Sequence, residues 1–481
     1  MTMVRRFWFV WALLFVVVGM QSLGVPRGAG PDEPAHLIRA AALVRGDVFG
    51  EPQGEDPASR LFDAPGWAGQ PGPGCFAFRP GQAASCATST DSPAVSTAGS
   101  YPVFGHVLPG VATLLPGGAS TAWASRLADA LIPTLLVAWA ITRLAASGER
   151  VAVAAVLLAL TPMALFSMAV VNPSGLVIGG AIALWISGDA LARGDPTASW
   201  LFAAGWAAVV LPRTDGLIWV AAIAVVVLIG ASARPSTLWA IMKIRARAAV
   251  LASTALAVAW PVFVRPALID APAPYAGWEL VREIIGQTGT HLREAIGVVG
   301  WLDTPIPTSM FLLWAGLLGL LAGVALVSGA RRRVGAASLA LVAAVVASWL
   351  LDFLQAPDAG LFWQGRYGLP LLVGVVIQLG LARSSSGRGR SDSMGALLGG
   401  TWIVWNLGFL QALRRWGVGE SGSMLPWDWA TGSTPLPLEL IIVSHALASA
   451  LLMVKLWRDS NSSSARPNSP ADLAASVPDE A

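Results

Sequence analysis

Charged side chains are scarce in this sequence of 481 residues. Only 12% of the residues are charged and 55% are hydrophobic, whereas a soluble domain carries about 25% charge. This composition excludes a soluble globular protein and a disordered chain. The 31 basic residues include only two lysines, and the formal net charge is +3. No run of mixed Lys and Arg is present, so the sequence predicts no nucleic-acid partner.

Motifs that bind nucleotides or catalytic metals are also absent. Neither lysine stands in a Gly-rich loop before Ser or Thr, as a P-loop requires. There is no His-Glu-x-x-His and no Gly-x-Ser-x-Gly. The four histidines are scattered: His36, His106, His291 and His445. The sequence therefore requires no cofactor, and it leaves the use of a divalent metal open.

Long apolar runs are what the sequence has instead. A bilayer core is crossed by a helix of about 20 apolar residues, with a range of roughly 17–25. The chain is therefore predicted to be an all-α polytopic membrane protein with about twelve transmembrane helices, within a range of ten to thirteen. The predicted spans are 7–24, 121–144, 151–171, 175–192, 199–212, 216–231, 248–265, 309–329, 335–354, 367–383, 394–413 and 436–457.

Positive charges predict the orientation of these spans. In a twelve-span topology, the loops on one side of the membrane hold nearly all the basic clusters, such as 331–333 and 383–390. Because cytoplasmic loops carry an excess of Lys and Arg, this side is predicted to be the cytoplasm. The first apolar run has no cleavage pattern and is predicted to remain as a signal anchor. Both termini are then predicted to be cytoplasmic, and the protein to lie in the plasma membrane. The bias towards Arg, Ala and Gly is typical of a GC-rich bacterial genome, so the source is predicted to be a bacterium.

The polar segments define the domain organisation. Residues 1–458 are predicted to form one transmembrane domain with two large extracytoplasmic loops, 26–120 and 266–308. Residues 459–481 are rich in Ser, Pro and Asp and are predicted to be a disordered cytoplasmic tail. The first loop holds the only two cysteines, Cys75 and Cys86. In an oxidising compartment they are expected to form a disulfide, and two free thiols are the alternative.

The segment directly after the first span carries two adjacent acids. Asp32 and Glu33 precede a short predicted helix, and Asp32, His36 and Arg39 are spaced to lie on one side of it. The other side is apolar, so we expect an amphipathic helix on the bilayer surface in the first outside loop. The acids and the imidazole would then face a cavity. Alternatively, Asp32 and Glu33 only cap this helix and interact with its dipole.

A second polar segment, Gln364-Gly365-Arg366-Tyr367, lies at the outer mouth of the tenth predicted span. An arginine at this depth is costly unless it meets water, a carboxylate or a phosphate. The planar guanidinium donates two parallel hydrogen bonds, which suits a phosphate. The alternative is an arginine whose charged end reaches the lipid head groups.

Three further groups of charged residues have a structural alternative. Asp303 lies in Gly-Trp-Leu-Asp-Thr-Pro, which is an ordinary turn as often as a site. Arg213 and Asp215 could supply a cation and a carboxylate to the same cavity, although a tight hairpin is the favoured interpretation. Arg126 and Asp129 are three residues apart on the second span, and a structural ion pair is predicted for them.

Four motifs in this order resemble the bacterial membrane proteins of domain-of-unknown-function family 2142 (DUF2142), over about 5–455. They are Asp32-Glu33-Pro34-Ala35-His36, Asn172-Pro173-Ser174-Gly175, Gly300-Trp301-Leu302-Asp303-Thr304-Pro305 and Gln364-Gly365-Arg366-Tyr367-x-x-Pro370. The family is grouped with the GT-C glycosyltransferases, so the resemblance implies a GT-C-like fold. It also implies that a sugar is transferred from a polyprenyl-phosphate carrier on the outer face. GT-C enzymes place an essential acid in the first outside loop, where Asp32 and Glu33 stand. The second acidic pair that many relatives use for a metal is not found.

These residues suit such a transfer if Asp32 or Glu33 is the base and a fixed arginine stabilises the departing phosphate. One carboxylate with no covalent partner predicts inversion at the sugar, by analogy with inverting glycosidases. The expected partners are the lipid bilayer, a polyprenyl-phosphate-linked sugar, and a cell-envelope glycan, lipid or protein acceptor. A non-catalytic transporter of lipid-linked glycans and a scaffold subunit of an envelope-synthesis complex are the alternatives. The expected substrate-binding residues are His36, Arg39, Arg213, Asp303, Gln364, Arg366 and Tyr367.

Overall fold

The computed structural model describes residues 2–54, 58–88, 92–264, 272–382, 390–429 and 434–462. In this part of the chain the α-helices are α1 Met3–Gly24, α2 Glu33–Leu43, α3 Val107–Ala112, α4 Thr121–Ala146, α5 Arg150–Ala159, α6 Pro162–Ala169, α7 Pro173–Ala192, α8 Ser199–Val210, α9 Gly216–Ala231, α10 Pro235–Ile241, α11 Ile244–Phe263, α12 Gly277–Gly286, α13 Thr288–Gly297, α14 Thr308–Val327, α15 Arg331–Ala359, α16 Leu369–Leu381, α17 Arg390–Val418 and α18 Leu438–Ser462. The strands are β1 Glu51–Pro52, β2 Arg60–Leu61, β3 Val95–Ser96, β4 Val298–Val299 and β5 Thr304–Pro305. Both small sheets are antiparallel, with the orders β1-β2-β3 and β4-β5.

Within the described residues, eight helices are long and apolar enough to cross a membrane. They are α1, α4, α7, α11, α14, α15, α17 and α18. The pairs α5 with α6 and α9 with α10 pass the same test together but bend by 67° and 97°, which gives up to ten spans. The class of all-α polytopic membrane protein is thus confirmed, but the number twelve is not. Two of the predicted spans form α8 and α16, which have only 12 and 13 residues.

The break between α5 and α6 is built around Leu160-Thr161-Pro162. Proline lacks the amide hydrogen that a continuous helix would need at this position. The side chain of Thr161 caps α6 by accepting a hydrogen bond from the amide of Ala164 at 3.1 Å. Trp405 donates from Nε1 to the carbonyl of Leu160 at 2.7 Å, so a carbonyl freed by the break has a partner. After α6, the amide of Val171 donates to Oε1 of Glu33 at 3.1 Å.

The predicted helix after the first span is present as α2, but it does not lie on an open surface. Eight of its 11 residues are buried. Leu37 and Ile38 pack into a small core with Phe62 and Ala94 of the first loop. The apolar side of α2 is therefore covered by the chain itself instead of by lipid.

The first loop is hydrogen-bonded to α17 near its two cysteines. Cys75 and Cys86 form a disulfide with their Cα atoms 6.1 Å apart. Arg415 of α17 donates to the carbonyl of Phe76 at 2.8 Å and to that of Gln82 at 2.7 Å. The predicted tail 459–481 is partly helical, because α18 continues to Ser462; residues 463–481 lie outside the described residues.

Candidate functional site

Asp32 has a backbone conformation that non-glycine residues rarely adopt. It stands just before α2 with a φ of 59°, in the left-handed region, which costs an L-residue roughly 1–2 kcal/mol. Its side chain makes no capping hydrogen bond to α2. Asn172 supports the turn, because its Nδ2 donates to the carbonyl of Pro31 at 3.2 Å. Helix capping therefore does not explain Asp32, whose carboxylate faces another part of the protein.

That carboxylate contacts Arg366. Nη2 of Arg366 donates to Oδ2 of Asp32 at 2.5 Å. The arginine side chain is 2% exposed, whereas that of Asp32 is 42% exposed. Nε and Nη1 of Arg366 are buried and have no hydrogen-bond partner within the described residues. Because an unsatisfied buried donor costs about 1–3 kcal/mol, these two N–H groups are well suited to bind an anion.

The position of Arg366 is set by a short turn that packs on α13. Arg366 lies in the 3-10 helix Gly365–Gly368 at the start of α16. A Cβ on Gly365 would lie 2.1 Å from the carbonyl oxygen of His291, so only glycine fits. The amide of Gly365 donates to Oε2 of Glu294 at 2.8 Å. Burial raises the pKa of Glu294, although this amide and Arg366 act in the opposite direction.

Arg213 brings a second cation to the same place. It lies between α8 and α9, and its Nε and Nη2 donate to the two carboxylate oxygens of Asp215 at 2.9 and 3.1 Å. Its guanidinium is 4.8 Å from the ring centre of Tyr367 and 5.9 Å from that of Tyr101. Burial works to lower the pKa of Arg213, but Asp215 and Tyr101 raise it above its ordinary value. Arg213 is therefore both part of the predicted hairpin and a neighbour of Tyr367.

His36 is held on the other side of this group. Its Nδ1 is 3.1 Å from Nε2 of His106, and its ring meets the ring of Tyr101 edge-on at 4.9 Å. Burial, Arg213 and Arg366 lower the pKa of His36 to about 3, so the imidazole is neutral. We call Asp32, His36, Tyr101, Arg213, Arg366 and Tyr367 the Asp32 cluster.

Sequence reasoning misses Tyr101 and His106. Both lie in the first loop, in a stretch with no helical or strand periodicity that could place them. The only signal is their rarity, because the chain has three tyrosines and four histidines. Two of the three tyrosines, Tyr101 and Tyr367, belong to the Asp32 cluster. Burial raises the pKa of Tyr101 to about 12, so its hydroxyl remains protonated.

Glu33 has a different set of partners. Arg126 donates to both of its carboxylate oxygens, each at 2.6 Å, and the amide of Val171 donates to Oε1 at 3.1 Å. Both members of this ion pair are almost fully buried. The predicted pair of Arg126 with Asp129 is therefore wrong, because the arginine reaches past its own helix to Glu33. Asp129 instead accepts a hydrogen bond from the amide of Asn172 at 3.2 Å.

Two other predicted substrate-binding residues, Arg39 and Asp303, make contacts outside the Asp32 cluster. Arg39 donates to the carbonyl of Val48, and its guanidinium lies 5.4 Å from the ring centre of Phe62. Asp303 accepts from Arg415 at 3.3 Å and from the amide of Phe78 at 2.9 Å, so it fastens the disulfide-bonded part of the first loop.

Gln364, another predicted substrate-binding residue, contacts the Asp32 cluster through its backbone. Its backbone carbonyl accepts from the amide of Tyr367 at 2.9 Å. Its Oε1 is buried and has no hydrogen-bond partner in the part of the chain that the structure describes. Gln364 therefore shapes the turn that carries Arg366.

The Asp32 cluster combines a half-exposed carboxylate with two guanidinium groups and two phenol rings. Such a set can bind an anion and accept a proton beside it. Across the described residues, no group of three or more His, Cys, Asp or Glu side chains is arranged to hold a metal ion.

No curated protein matches the chain. The solved structure of ArnT from Cupriavidus metallidurans bound to undecaprenyl phosphate has a TM-score of 0.41 at 15% identity, over 97% of this chain and 79% of that chain. The apo structure has a TM-score of 0.44 at 16% identity, over 94% and 77%. Residues 14–375 match the profile of the family described as "Predicted membrane protein (DUF2142)". The chain therefore belongs to the DUF2142 family, which confirms the resemblance that the four motifs carry.

Proposed function

We propose that this protein is a GT-C-type glycosyltransferase that moves a sugar from a polyprenyl-phosphate donor to a cell-envelope glycan, lipid or protein acceptor on the outer face of the membrane. One observation carries the proposal. The carboxylate of Asp32 lies 2.5 Å from a buried guanidinium that has two unsatisfied N–H groups. A carboxylate and a phosphate-binding cation, side by side at the ends of membrane helices, are what transfer from a lipid phosphate needs.

The two arginines suit the phosphate of the donor. Arg366 can donate two parallel hydrogen bonds to phosphate oxygens through Nη2 together with one of its two unpartnered neighbours, Nε or Nη1. Lys cannot donate such a pair. Arg213 adds positive charge while keeping its own bonds to Asp215. As the bond from the anomeric carbon to the phosphate oxygen breaks, negative charge builds up on that oxygen. Fixed cations in a site shielded from water stabilise this charge most strongly.

Asp32 is the acid that suits the acceptor. A phosphate bound to Arg366 competes for the N–H group that Asp32 now occupies, which frees the carboxylate. Asp32 then takes the proton of the acceptor hydroxyl while the acceptor oxygen bonds to the anomeric carbon and the polyprenyl phosphate leaves. One base without a covalent intermediate gives inversion, by analogy with inverting glycosidases. Glu33 is unsuited to this role because Arg126 and Val171 hold its carboxylate.

The orientation belongs to the same proposal. The Asp32 cluster, the first loop and the disulfide would face the extracytoplasmic side, with both termini in the cytoplasm of a bacterial cell. A disulfide persists in such an oxidising compartment, and it supports this orientation.

The experiment is an assay of the purified protein with a panel of polyprenyl-phosphate sugars and an envelope-derived acceptor fraction. The wild-type protein should transfer at least one sugar, and Asp32→Asn should lower the rate by about 10²–10⁴-fold, the usual contribution of a positioned base. Asp358→Asn is the matched control, because Asp358 is an exposed acid at the end of α15. Unchanged transfer by Asp32→Asn would refute the role of Asp32 as the base. Absence of both transfer and translocation with wild-type protein would favour a scaffold subunit. Translocation of a lipid-linked glycan without any transfer would favour the transporter.

A further inference from the structure

The hydrogen bonds around His36 and His106 fix where the protons of both rings lie. Nδ1 of His106 is 3.1 Å from the carbonyl oxygen of Pro102. A carbonyl only accepts, so Nδ1 of His106 carries the hydrogen. In a neutral ring the other nitrogen is then bare. Nε2 of His106 must therefore accept from Nδ1 of His36, which lies 3.1 Å away.

The same reasoning gives the state of the outer nitrogen of His36. Both rings are buried, with 3% of His36 and 0% of His106 exposed. Burial lowers the pKa of His106 well below its ordinary value, and His36 and Arg39 lower it further. Both imidazoles are therefore neutral. With its hydrogen on Nδ1, His36 has a lone pair on Nε2.

The orientation of the His36 ring is fixed by its neighbours. The ring of His36 lies 5.3 Å from that of His106 and 4.9 Å from that of Tyr101, which contacts both histidines edge-on. A ring packed in this way cannot turn over without losing the hydrogen bond to His106. Nε2 of His36 is therefore held in place as an acceptor.

The free nitrogen belongs to the Asp32 cluster. His36 follows Asp32 by one helical turn, and its amide donates to the carbonyl of Asp32 at 3.1 Å. Within the described residues no group hydrogen-bonds to Nε2 of His36. Arg213 and Arg366 both disfavour a charged imidazole, so the group that completes this site must itself be a donor. An ionised phosphate diester has no proton to donate, whereas a sugar has several hydroxyl groups.

We infer that His106 and Tyr101 hold His36 as a hydrogen-bond acceptor for one hydroxyl of the transferred sugar. The inference rests on the proposed function for the identity of the ligand, and on the hydrogen-bond geometry and burial of the two rings for the state of the ring. His36 then forms a hydrogen bond to the sugar, whereas Arg366 binds the phosphate. His106 and Tyr101 are positioning residues that touch no substrate.

The state of the ring is tested without any turnover. In full-length protein labelled with ¹⁵N-histidine and held in lipid nanodiscs, the His36 signal should show a neutral ring protonated on Nδ1. His106→Phe keeps a ring but removes the acceptor, so His36 should become a mixture of tautomers. His106→Gln offers an amide oxygen and should restore the Nδ1 form. A proton on Nε2 of His36 in the wild-type protein would overturn the inference, whatever the transfer assay gives.

The hydroxyl is tested with deoxy analogues of whichever sugar the wild-type protein transfers. Loss of a neutral hydrogen bond costs about 0.5–1.5 kcal/mol, so one deoxy analogue should lose about two- to tenfold in kcat/KM with wild-type protein. The same analogue should lose nothing further with His36→Phe, while the other analogues behave alike in both proteins. Equal losses in the two proteins for every hydroxyl would refute this role for His36. If wild-type protein transfers no sugar, the proposed function fails and the sugar is refuted as the ligand, whereas the ¹⁵N spectrum still decides whether His36 is held as an acceptor.

Discussion

Nη2 of Arg366 lies 2.5 Å from Oδ2 of Asp32, although 334 positions separate the two residues in the sequence. The carboxylate comes from the turn after α1, and the guanidinium comes from the turn before α16. The contact therefore joins the first loop to the membrane helices at the proposed site of transfer. It also pairs a residue that is 42% exposed with one that is 2% exposed. A ligand can reach the acid directly, whereas the cation is held by its surroundings.

Replacing Arg366 by Lys should weaken donor binding while the charge is kept. Lysine presents a point charge and cannot donate two parallel hydrogen bonds to a phosphate. We expect kcat/KM for the donor to fall by at least about tenfold, as loss of a charge-assisted bond worth about 1.5–3 kcal/mol requires. Steady-state kinetics at varied donor concentration checks this. A KM and kcat equal to those of the wild-type protein would contradict the assigned role of Arg366.

Glu33→Gln should act on stability. The substitution leaves Arg126 buried without a charged partner, and breaking a buried ion pair costs about 3–5 kcal/mol. The variant should unfold at a lower temperature than wild-type protein in a thermal-shift measurement in detergent. Asp358→Asn is the control, because Asp358 is exposed and its substitution should change the melting temperature far less. Equal melting temperatures for Glu33→Gln and wild-type protein would show that the ion pair is not needed for folding.

The adjacent acids also show what sequence reasoning can and cannot reach. The spacing of Asp32, His36 and Arg39 predicts that they share a side of α2, and the apolar runs predict the helices. The pattern does not say which acid faces the ligand, because Arg126, the partner of Glu33, lies 93 residues away. Arg39 starts on the predicted side, but its long side chain extends to Val48 and Phe62.

Contacts made by the first loop are the least predictable part of the site. Tyr101 and His106 reach His36 because the loop folds back over α2, and no local pattern specifies that path. The number of twelve spans is not confirmed, for a related reason. Helices α8 and α16 are supported by packing against their neighbours, so they need not be long enough to cross a bilayer by themselves.

Acid should destabilise the protein through its buried histidines. His36 has a pKa of about 3 in the folded protein and about 6.5 in the unfolded chain. Between these values the unfolded chain binds more protons, so stability falls as the pH falls below about 6.5. At about pH 5 the loss from His36 is roughly 2 kcal/mol. Melting temperatures measured from about pH 7.5 to pH 5 check this.

The double variant His36→Gln/His106→Gln isolates that contribution, because glutamine does not titrate. Its melting temperature should depend less on pH than that of the wild-type protein over the same range. Glu294 acts in the opposite direction, since its pKa is raised, but it is present in both proteins and cancels in the comparison. An identical pH dependence for both proteins would show that the histidines take up protons equally in the folded and unfolded states.

The disulfide gives a test of orientation. If residues 26–120 face the extracytoplasmic side, Cys75 and Cys86 should be oxidised in intact cells, because the cytoplasm keeps thiols reduced. A maleimide reagent carrying polyethylene glycol should then shift the protein on a gel only after a reductant is added. Cys75→Ser should expose one reactive thiol without reductant and confirms that Cys86 is accessible. The double variant Cys75→Ser/Cys86→Ser should lose about 2–4 kcal/mol of stability, the usual contribution of a disulfide. Labelling of wild-type protein in unreduced cells would mean that the thiols are free, and it would remove the support that the disulfide gives to the proposed orientation.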